Sequence, residues 1–146
     1  MQAVKAAALR YLSRREYSRL ELQERLCRKG YSETMVEQAV ADLVSQGLQS
    51  DGRFAEAFAH SRAEKGYGAY RIRQELRQRG IDADKALEKD LDWDALVRKI
   101  YVKKYGETIP DTFEERAARE RFLRQRGFES DRIRRLFKRL MRPDDE

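Results

Sequence analysis

The chain repeats one local pattern three times, each time around a glycine. In every copy a leucine stands four residues before the glycine, a basic residue one before it, and a large apolar residue one after it. The three segments are Leu22–Tyr31, Ile72–Ile81 and Arg119–Phe128. Because the glycines, at positions 30, 80 and 127, are 50 and 47 residues apart, the sequence predicts three tandem copies of one structural unit.

The pattern is typical of the end of a helix. A glycine just past a helix adopts the left-handed conformation that terminates it, and the next apolar residue packs back on the last turn. The basic residue before the glycine complements the negative end of the helix dipole. The register continues downstream, with apolar residues six and thirteen positions on: Val36, Ala86 and Ile133, then Leu43, Trp93 and Leu140.

A further helix is predicted before each pair, over residues 3–16, 53–65 and 92–105, where apolar residues recur at helical spacing. Asp51 is predicted to be the N-cap of the second of these helices. The middle helices are predicted to begin at Ser18, at Gly68 and at Asp111–Thr112. The expected fold is therefore all-α, with three tandem three-helix repeats in an elongated, curved array.

The predicted repeats are residues 1–49, 50–91 and 92–142, followed by an acidic tail over 143–146. A single compact helical bundle with coincidental glycines is the alternative, and three aligned copies with matched flanks argue against it. Only two prolines interrupt the chain, and no run of β-branched residues alternates with polar ones, so no strand is predicted.

The composition excludes several classes of functional site. A single cysteine, Cys27, and a single histidine, His60, exclude an internal disulfide, a cysteine or histidine metal cluster and a histidine-based catalytic dyad within one chain. We therefore expect neither an enzyme nor a cofactor. No apolar stretch is long enough to span a membrane and the first residues lack the apolar segment of a secretory signal, which favours a cytoplasmic protein.

Charge is distributed unevenly along a chain whose formal net charge is +6. Residues 1–29 hold eight bases and three acids, and residues 53–79 hold seven bases and three acids. Residues 30–52 and 81–95 are acidic, whereas residues 115–142 hold eleven bases and four acids. Basic helices of this kind either bind a phosphate backbone or an acidic protein surface, or are solvated faces tied by ion pairs four residues apart.

A binding role is expected for two basic groups. The first flanks the glycine-rich turn at residues 66–68, which displays its neighbours well; the second lies near the C-terminus. The candidate partner- or DNA-binding residues are Arg62, Lys65, Arg71, Arg73, Arg77, Arg79, Arg132, Arg134, Arg135, Lys138 and Arg139.

Three stretches together resemble the signature of the RecX family, the bacterial modulators of the recombinase RecA. The longest is residues 51–81, DGRFAEAFAHSRAEKGYGAYRIRQELRQRGI; the others are ALRYLSRREYS at 8–18, followed by Glu21 and Leu22, and RFLRQRGF at 121–128. The similarity extends from Ala6 to Leu140.

The resemblance implies tandem three-helix repeats and a regulator that binds RecA and the RecA filament on single-stranded DNA. Such a protein mostly inhibits strand exchange and coprotease activity in DNA repair, recombination and the SOS response. We expect the protein to be a monomer. The resemblance also implies contacts with single- or double-stranded DNA and supplies no catalytic residues. The alternative is a direct DNA-binding protein of helix-turn-helix type, against which none of the three units shows a polar recognition helix.

Overall fold

The computed structural model describes residues 2–87 and 91–141. Within these residues the secondary structure consists of nine helices, without a strand, which confirms the predicted all-α fold. The predicted acidic tail lies outside the described residues. The helices are α1 Gln2–Leu12, α2 Arg19–Arg28, α3 Glu33–Ser45, α4 Asp51–Glu64, α5 Ala69–Gln78, α6 Ala83–Ala86, α7 Trp93–Tyr105, α8 Phe113–Gln125 and α9 Ser130–Met141.

Side-chain caps explain where several helices begin. Ser18 and Glu21 form a capping box at α2, in which the Ser18 hydroxyl accepts from the Glu21 amide and the Glu21 carboxylate accepts from the Ser18 amide. Ser32 caps α3 and Thr112 caps α8, each through a side-chain hydroxyl that accepts from the backbone amide three residues later. The starts predicted at Ser18 and at Thr112 are therefore confirmed.

The predicted N-cap of α4 is wrong by one residue. The hydroxyl of Ser50 accepts from the amide of Arg53 at 3.2 Å, whereas Asp51 is the first helical residue. The Asp51 carboxylate instead accepts from the backbone amide of Arg19 at 2.8 Å and from the side chain of Gln49 at 3.0 Å. Asp51 thus satisfies an amide in the first turn of α2, a contact 32 residues away that a local pattern does not reveal.

The glycine turns form as predicted. Gly30, Gly80 and Gly127 have φ values of 102°, 77° and 102°, which is the left-handed region that ends a helix. The apolar residue after the glycine packs inward, since Ile81 is 8% and Phe128 3% exposed. The sequence signature therefore marks the ends of α2, α5 and α8.

The register beyond the glycine fails in the middle repeat. Trp93, thirteen residues after Gly80, is the first residue of α7 and packs against the core of the third repeat. The helix that follows Gly80 is α6, with only four residues. Asp92 explains the difference, because its carboxylate accepts from the amide of Ala95 at 3.1 Å and starts a new helix there. The side chain of Ala86 lies outside the described part of the chain.

The described residues divide into two compact units. Unit 1 comprises 2–58 and 75–87, and unit 2 comprises 59–74 and 91–141. The middle repeat therefore supplies residues to both units. Unit 1 has its core between α1, α2 and α3, where Leu22 and Leu26 are fully buried, and truncating either to alanine costs about 2–5 kcal/mol.

Unit 2 has its core between α7, α8 and α9. Tyr101 and Leu123 are fully buried there, and Phe137 packs edge-on against the ring of Tyr101 with centroids 5.7 Å apart. The hydroxyl of Tyr101 donates to the carbonyl of Thr108 at 2.5 Å and accepts from Arg119 at 2.8 Å. The charged side chains of α9 and of the turn before α5 lie outside this core.

Candidate binding surfaces

Three arginines of unit 2 surround the ring of Tyr67. The Cζ atoms of Arg62 and Arg71 lie 4.1 and 4.3 Å from the ring centroid, and that of Arg126 lies at 5.2 Å. We call these four residues the Tyr67 cluster. Each cation–π contact is worth about 0.5–1 kcal/mol at an exposed site, so the half-buried ring holds together guanidinium groups that would otherwise repel each other.

Two glycine turns build this cluster. The amide of Gly68, before α5, donates to the carbonyl of Arg126 at 2.7 Å, and the amide of Tyr70 donates to the carbonyl of Gly127 at 3.0 Å. A Cβ placed on Gly68 would lie 2.5 Å from the carbonyl carbon of Gly127. The two backbones can approach this closely only because both residues are glycine, and the approach brings Arg126 beside Tyr67.

Much of the positive charge at this site is not balanced. Within residues 2–87 and 91–141, Lys65, Arg71 and Arg126 form no salt bridge, and Lys65 and Arg71 are exposed. Arg73 differs, because it pairs with Glu129 at 3.1 Å. Guanidinium groups that are held in place and lack a carboxylate partner are suited to bind carboxylate or phosphate oxygens.

A second basic surface lies on one flank of α9. Arg132, Arg135 and Arg139 share this flank, and their guanidinium nitrogens lie 2.6, 3.4 and 3.6 Å from the carboxylate of Asp94 in α7. We call these three arginines the Asp94 flank. One carboxylate faces three guanidinium groups, so the flank keeps a net positive charge although each arginine has a partner.

The ionisation of Asp94 reflects two opposing effects. Burial raises the pKa of the carboxyl group, but the attraction and hydrogen bonds of Arg132 and Arg135 outweigh it and hold the pKa below its ordinary value of 3.8. Asp94 is therefore ionised at neutral pH and holds α9 against the start of α7.

The other two predicted residues of α9 do not pair with Asp94 within the described residues. Arg134 pairs with Asp131 in the first turn of the helix, and Lys138 is exposed. The buried stripe of Ile133, Leu136 and Phe137 faces the core of unit 2. Lys138 is three residues after Arg135 and four after Arg134, so the basic side chains predicted near the C-terminus are neighbours on the rest of the helix.

Arg77 and Arg79 belong to unit 1 and do not join the Tyr67 cluster. Arg77 pairs with Asp84 at 3.2 Å. Arg79 lies over the ring of Phe58 at 4.6 Å, donates to the carbonyl of Glu75 at 2.9 Å and lies 3.6 Å from Glu21. Arg79 therefore makes several contacts within unit 1, including one with the last turn of α5.

Sequence reasoning missed Arg126 and Asp94 as members of these surfaces. The repeat alignment places Arg126 before a helix-ending glycine, where a role at the helix dipole is sufficient to explain a basic residue. Tyr67 lies in a predicted turn, and Asp94 lies in an acidic stretch of the sequence. The alignment contains no signal for contacts 59 and 38 residues apart, which are those between Tyr67 and Arg126 and between Asp94 and Arg132.

The part of the chain that the structure describes contains neither a candidate metal site nor a candidate membrane-spanning helix. No group of three or more histidine, cysteine, aspartate or glutamate side chains there is arranged to hold a metal ion. None of the described helices combines the length and the apolar character needed to cross a membrane.

Three family models match successive parts of the chain. The models described as the first, second and third three-helix domains of RecX match residues 5–43, 50–88 and 92–137. Regulatory protein RecX of Halorhodospira halophila is 42% identical over 137 residues, covering 91% of this chain and 85% of that protein. Regulatory protein RecX of Ectopseudomonas mendocina is 40% identical over 140 residues, covering 93% of each.

Solved structures agree with the fold. The crystal structure of RecX from Lactobacillus salivarius has a TM-score of 0.80 and 21% identity, covering 96% of each chain. A second crystal structure of regulatory protein RecX has a TM-score of 0.77 and 25% identity, covering 94% of this chain and 70% of the other.

Proposed function

Because the chain belongs to the RecX family of regulatory proteins, we propose that it regulates the recombinase RecA by binding RecA and its filament on single-stranded DNA. Binding mostly inhibits strand exchange and coprotease activity, in DNA repair, recombination and the SOS response. The protein acts in the cytoplasm as a monomer, without a catalytic step.

The Tyr67 cluster is the observation that best supports this proposal. Three of its four residues lie within residues 51–81, the longest stretch that resembles the family signature, and Arg71 and Arg126 have no salt-bridge partner in the described residues. A nucleoprotein filament presents phosphates and carboxylates, which are the groups that a fixed guanidinium binds by paired hydrogen bonds. We assign the Tyr67 cluster and Lys65 to the filament contact.

The Asp94 flank is assigned a supporting role in the same unit. Arg135 and Arg139 are 48% and 59% exposed, so each keeps hydrogen-bond donors for a second partner while Asp94 limits their motion. Contacts of this kind with a phosphate backbone add affinity that falls steeply with salt.

The first experiment compares affinity for the RecA–DNA filament with affinity for bare single-stranded DNA at increasing salt. We expect tighter binding to the filament, with a difference that persists at high salt because protein contacts contribute. Filament binding no tighter than binding to bare DNA would contradict the proposal and favour direct DNA binding of helix-turn-helix type.

The second experiment tests the site. The double variant Arg71→Ala, Arg126→Ala is expected to weaken filament binding at least about tenfold, which is about 1.4 kcal/mol. Its control is Arg121→Ala, Arg124→Ala, which removes the same charge from exposed positions of α8 outside the cluster. Equal weakening by both double variants would mean that total charge matters and the cluster does not.

A further inference from the structure

A pocket of about 390 Å³ lies within unit 1 and shares no residue with either basic surface of unit 2. Four of its nine lining side chains are arginines. They come from three parts of the chain: Arg15 precedes α2, Arg25 and Arg28 lie on α2, and Arg79 follows α5. Glu21 and Glu24 also line the pocket, so its charge is positive but partly compensated.

One oxyanion is already bound by these arginines. The carboxylate of Glu21 accepts from two nitrogens of Arg15 at 3.3 and 3.5 Å and lies 3.6 Å from Nε of Arg79. The same carboxylate accepts from the amide of Ser18 at 3.1 Å. Arg15 and Arg79 therefore share a partner whose own hydrogen bonds are satisfied.

Arg25 and Arg28 form no salt bridge within the described residues, although the nearby carboxylate of Glu21 contributes to the raised pKa of Arg25. Arg25 donates to the hydroxyl of Tyr17 at 3.0 Å, and this hydrogen bond is the largest cause of a raised pKa at Arg25. Arg28 is exposed and makes no salt bridge within the described residues. They are three residues apart on α2, so their side chains lie on the same face of the helix.

A buried frame holds these groups in place. Tyr17 is 4% exposed, and its carbonyl accepts from the side chain of Gln49, which is 2% exposed, at 3.1 Å. The Cζ of Arg15 lies 3.6 Å from the centre of the Tyr17 ring. Tyr17 therefore orients Arg15 through its ring and Arg25 through its hydroxyl, which lowers the entropy that these side chains lose when they bind a ligand.

We propose that this pocket binds a phosphate monoester group, with Arg25 and Arg28 donating to its oxygens. Such a group offers three acceptor oxygens and up to two negative charges, which match two arginines that form no salt bridge within the described residues. The volume lies within the ~300–1,000 Å³ of small-molecule sites and leaves room for more than an isolated phosphate. A free nucleotide and the 5′-phosphorylated end of a DNA strand both carry this chemistry.

The test titrates the full chain by calorimetry with three probes: AMP, a short single-stranded oligonucleotide with a 5′ phosphate, and the same oligonucleotide without it. We expect AMP, or the phosphorylated oligonucleotide in preference to the unphosphorylated one, to bind. The first outcome identifies a nucleotide site and the second a strand-end site. Failure of AMP to bind, together with equal affinity for the two oligonucleotides, would overturn the proposal.

Variants locate the site. The double variant Arg25→Ala, Arg28→Ala is expected to raise the dissociation constant of the bound probe at least about tenfold. Tyr17→Phe, which removes only the hydroxyl that orients Arg25, should raise it by a smaller factor.

The control is the double variant Arg10→Ala, Arg14→Ala, which removes the same charge from exposed positions of unit 1 outside the pocket. Equal weakening in this control would overturn the assignment to the pocket. Filament binding is measured separately, so the failure of one proposal is distinguishable from the failure of the other.

Discussion

Gly127 lies against Arg71 so closely that a Cβ on the glycine would be 2.5 Å from the Cβ of the arginine and 2.8 Å from its backbone nitrogen. These contacts involve a backbone segment and the base of a side chain, neither of which can move without displacing α5. The Tyr67 cluster therefore depends on the absence of a side chain at Gly127 as much as on the presence of its arginines.

The first prediction concerns this glycine. Gly127→Ala should lower the free energy of unfolding by about 3 kcal/mol or more, because a left-handed alanine costs roughly 1–2 kcal/mol and the clash adds to it. Gly30→Ala is the matched control, with the same φ of 102° and no atom within 4 Å of the added Cβ. In thermal or denaturant unfolding, the control should lose only the stability that the left-handed conformation costs an alanine. Equal losses of stability in the two variants would mean that the close approach of the two turns does not contribute to the effect.

A second prediction concerns the charge that holds α9. Asp94→Asn should lower stability by about 1 kcal/mol more than Asp131→Asn. Both changes remove one acid from the first turn of a helix, so their effects on the helix dipole are similar. Asp131 has a single exposed partner, Arg134, whereas Asp94 is contacted by three arginines. Denaturant unfolding at neutral pH checks this, and a larger effect at Asp131 would contradict it.

The third prediction gives the pH range in which Asp94 contributes. Its pKa is lower in the folded chain than the ordinary 3.8, so the unfolded chain binds more protons near that pH and the contribution to stability is complete above it. The contribution disappears as pH falls through the folded pKa. The stability difference between the native protein and Asp94→Asn should therefore be constant above about pH 5 and shrink below 3.8. A difference that grew on acidification would contradict this sign.

The fourth prediction concerns a buried hydroxyl. Tyr101→Phe should cost about 1–2 kcal/mol, because it removes a donor to the carbonyl of Thr108 and an acceptor for Arg119 beside a fully buried ring. Tyr70→Phe is the control: Tyr70 is 53% exposed, and among the described residues its hydroxyl bonds only the exposed Gln74. Chemical unfolding should show less than about 0.5 kcal/mol for the control, and a similar loss in both would remove the assigned role of the Tyr101 hydroxyl.

Local chemistry explains which parts of the fold the sequence predicted. The helix ends at Gly30, Gly80 and Gly127 and the starts at Ser18 and Thr112 depend on neighbours within four residues, so a short pattern contains the whole cause. Where an equally good local signal competes, the repeat register alone misleads. The cap at Asp92 begins α7 where the register expects the end of the previous helix, although the apolar spacing over residues 92–105 predicts α7 correctly.

The candidate surfaces were predicted less completely, for a physical reason. Arg62, Lys65 and Arg71 were identified because they flank a glycine-rich turn. Arg126 and Asp94 complete the two surfaces through contacts that form only when distant segments pack. A long arginine side chain reaches partners on several helices, and its sequence position does not say which of them it meets.

The three repeat glycines, alike in sequence, differ in what could replace them. Asparagine tolerates the left-handed conformation better than other residues with a side chain, so the open position of Gly30 should accept it during evolutionary drift. Gly127 should accept no substitute while Gly68 and Arg71 remain in place. Backbone conformation alone requires glycine at position 30, whereas both conformation and packing require it at position 127, so related sequences should vary more at the first position than at the second.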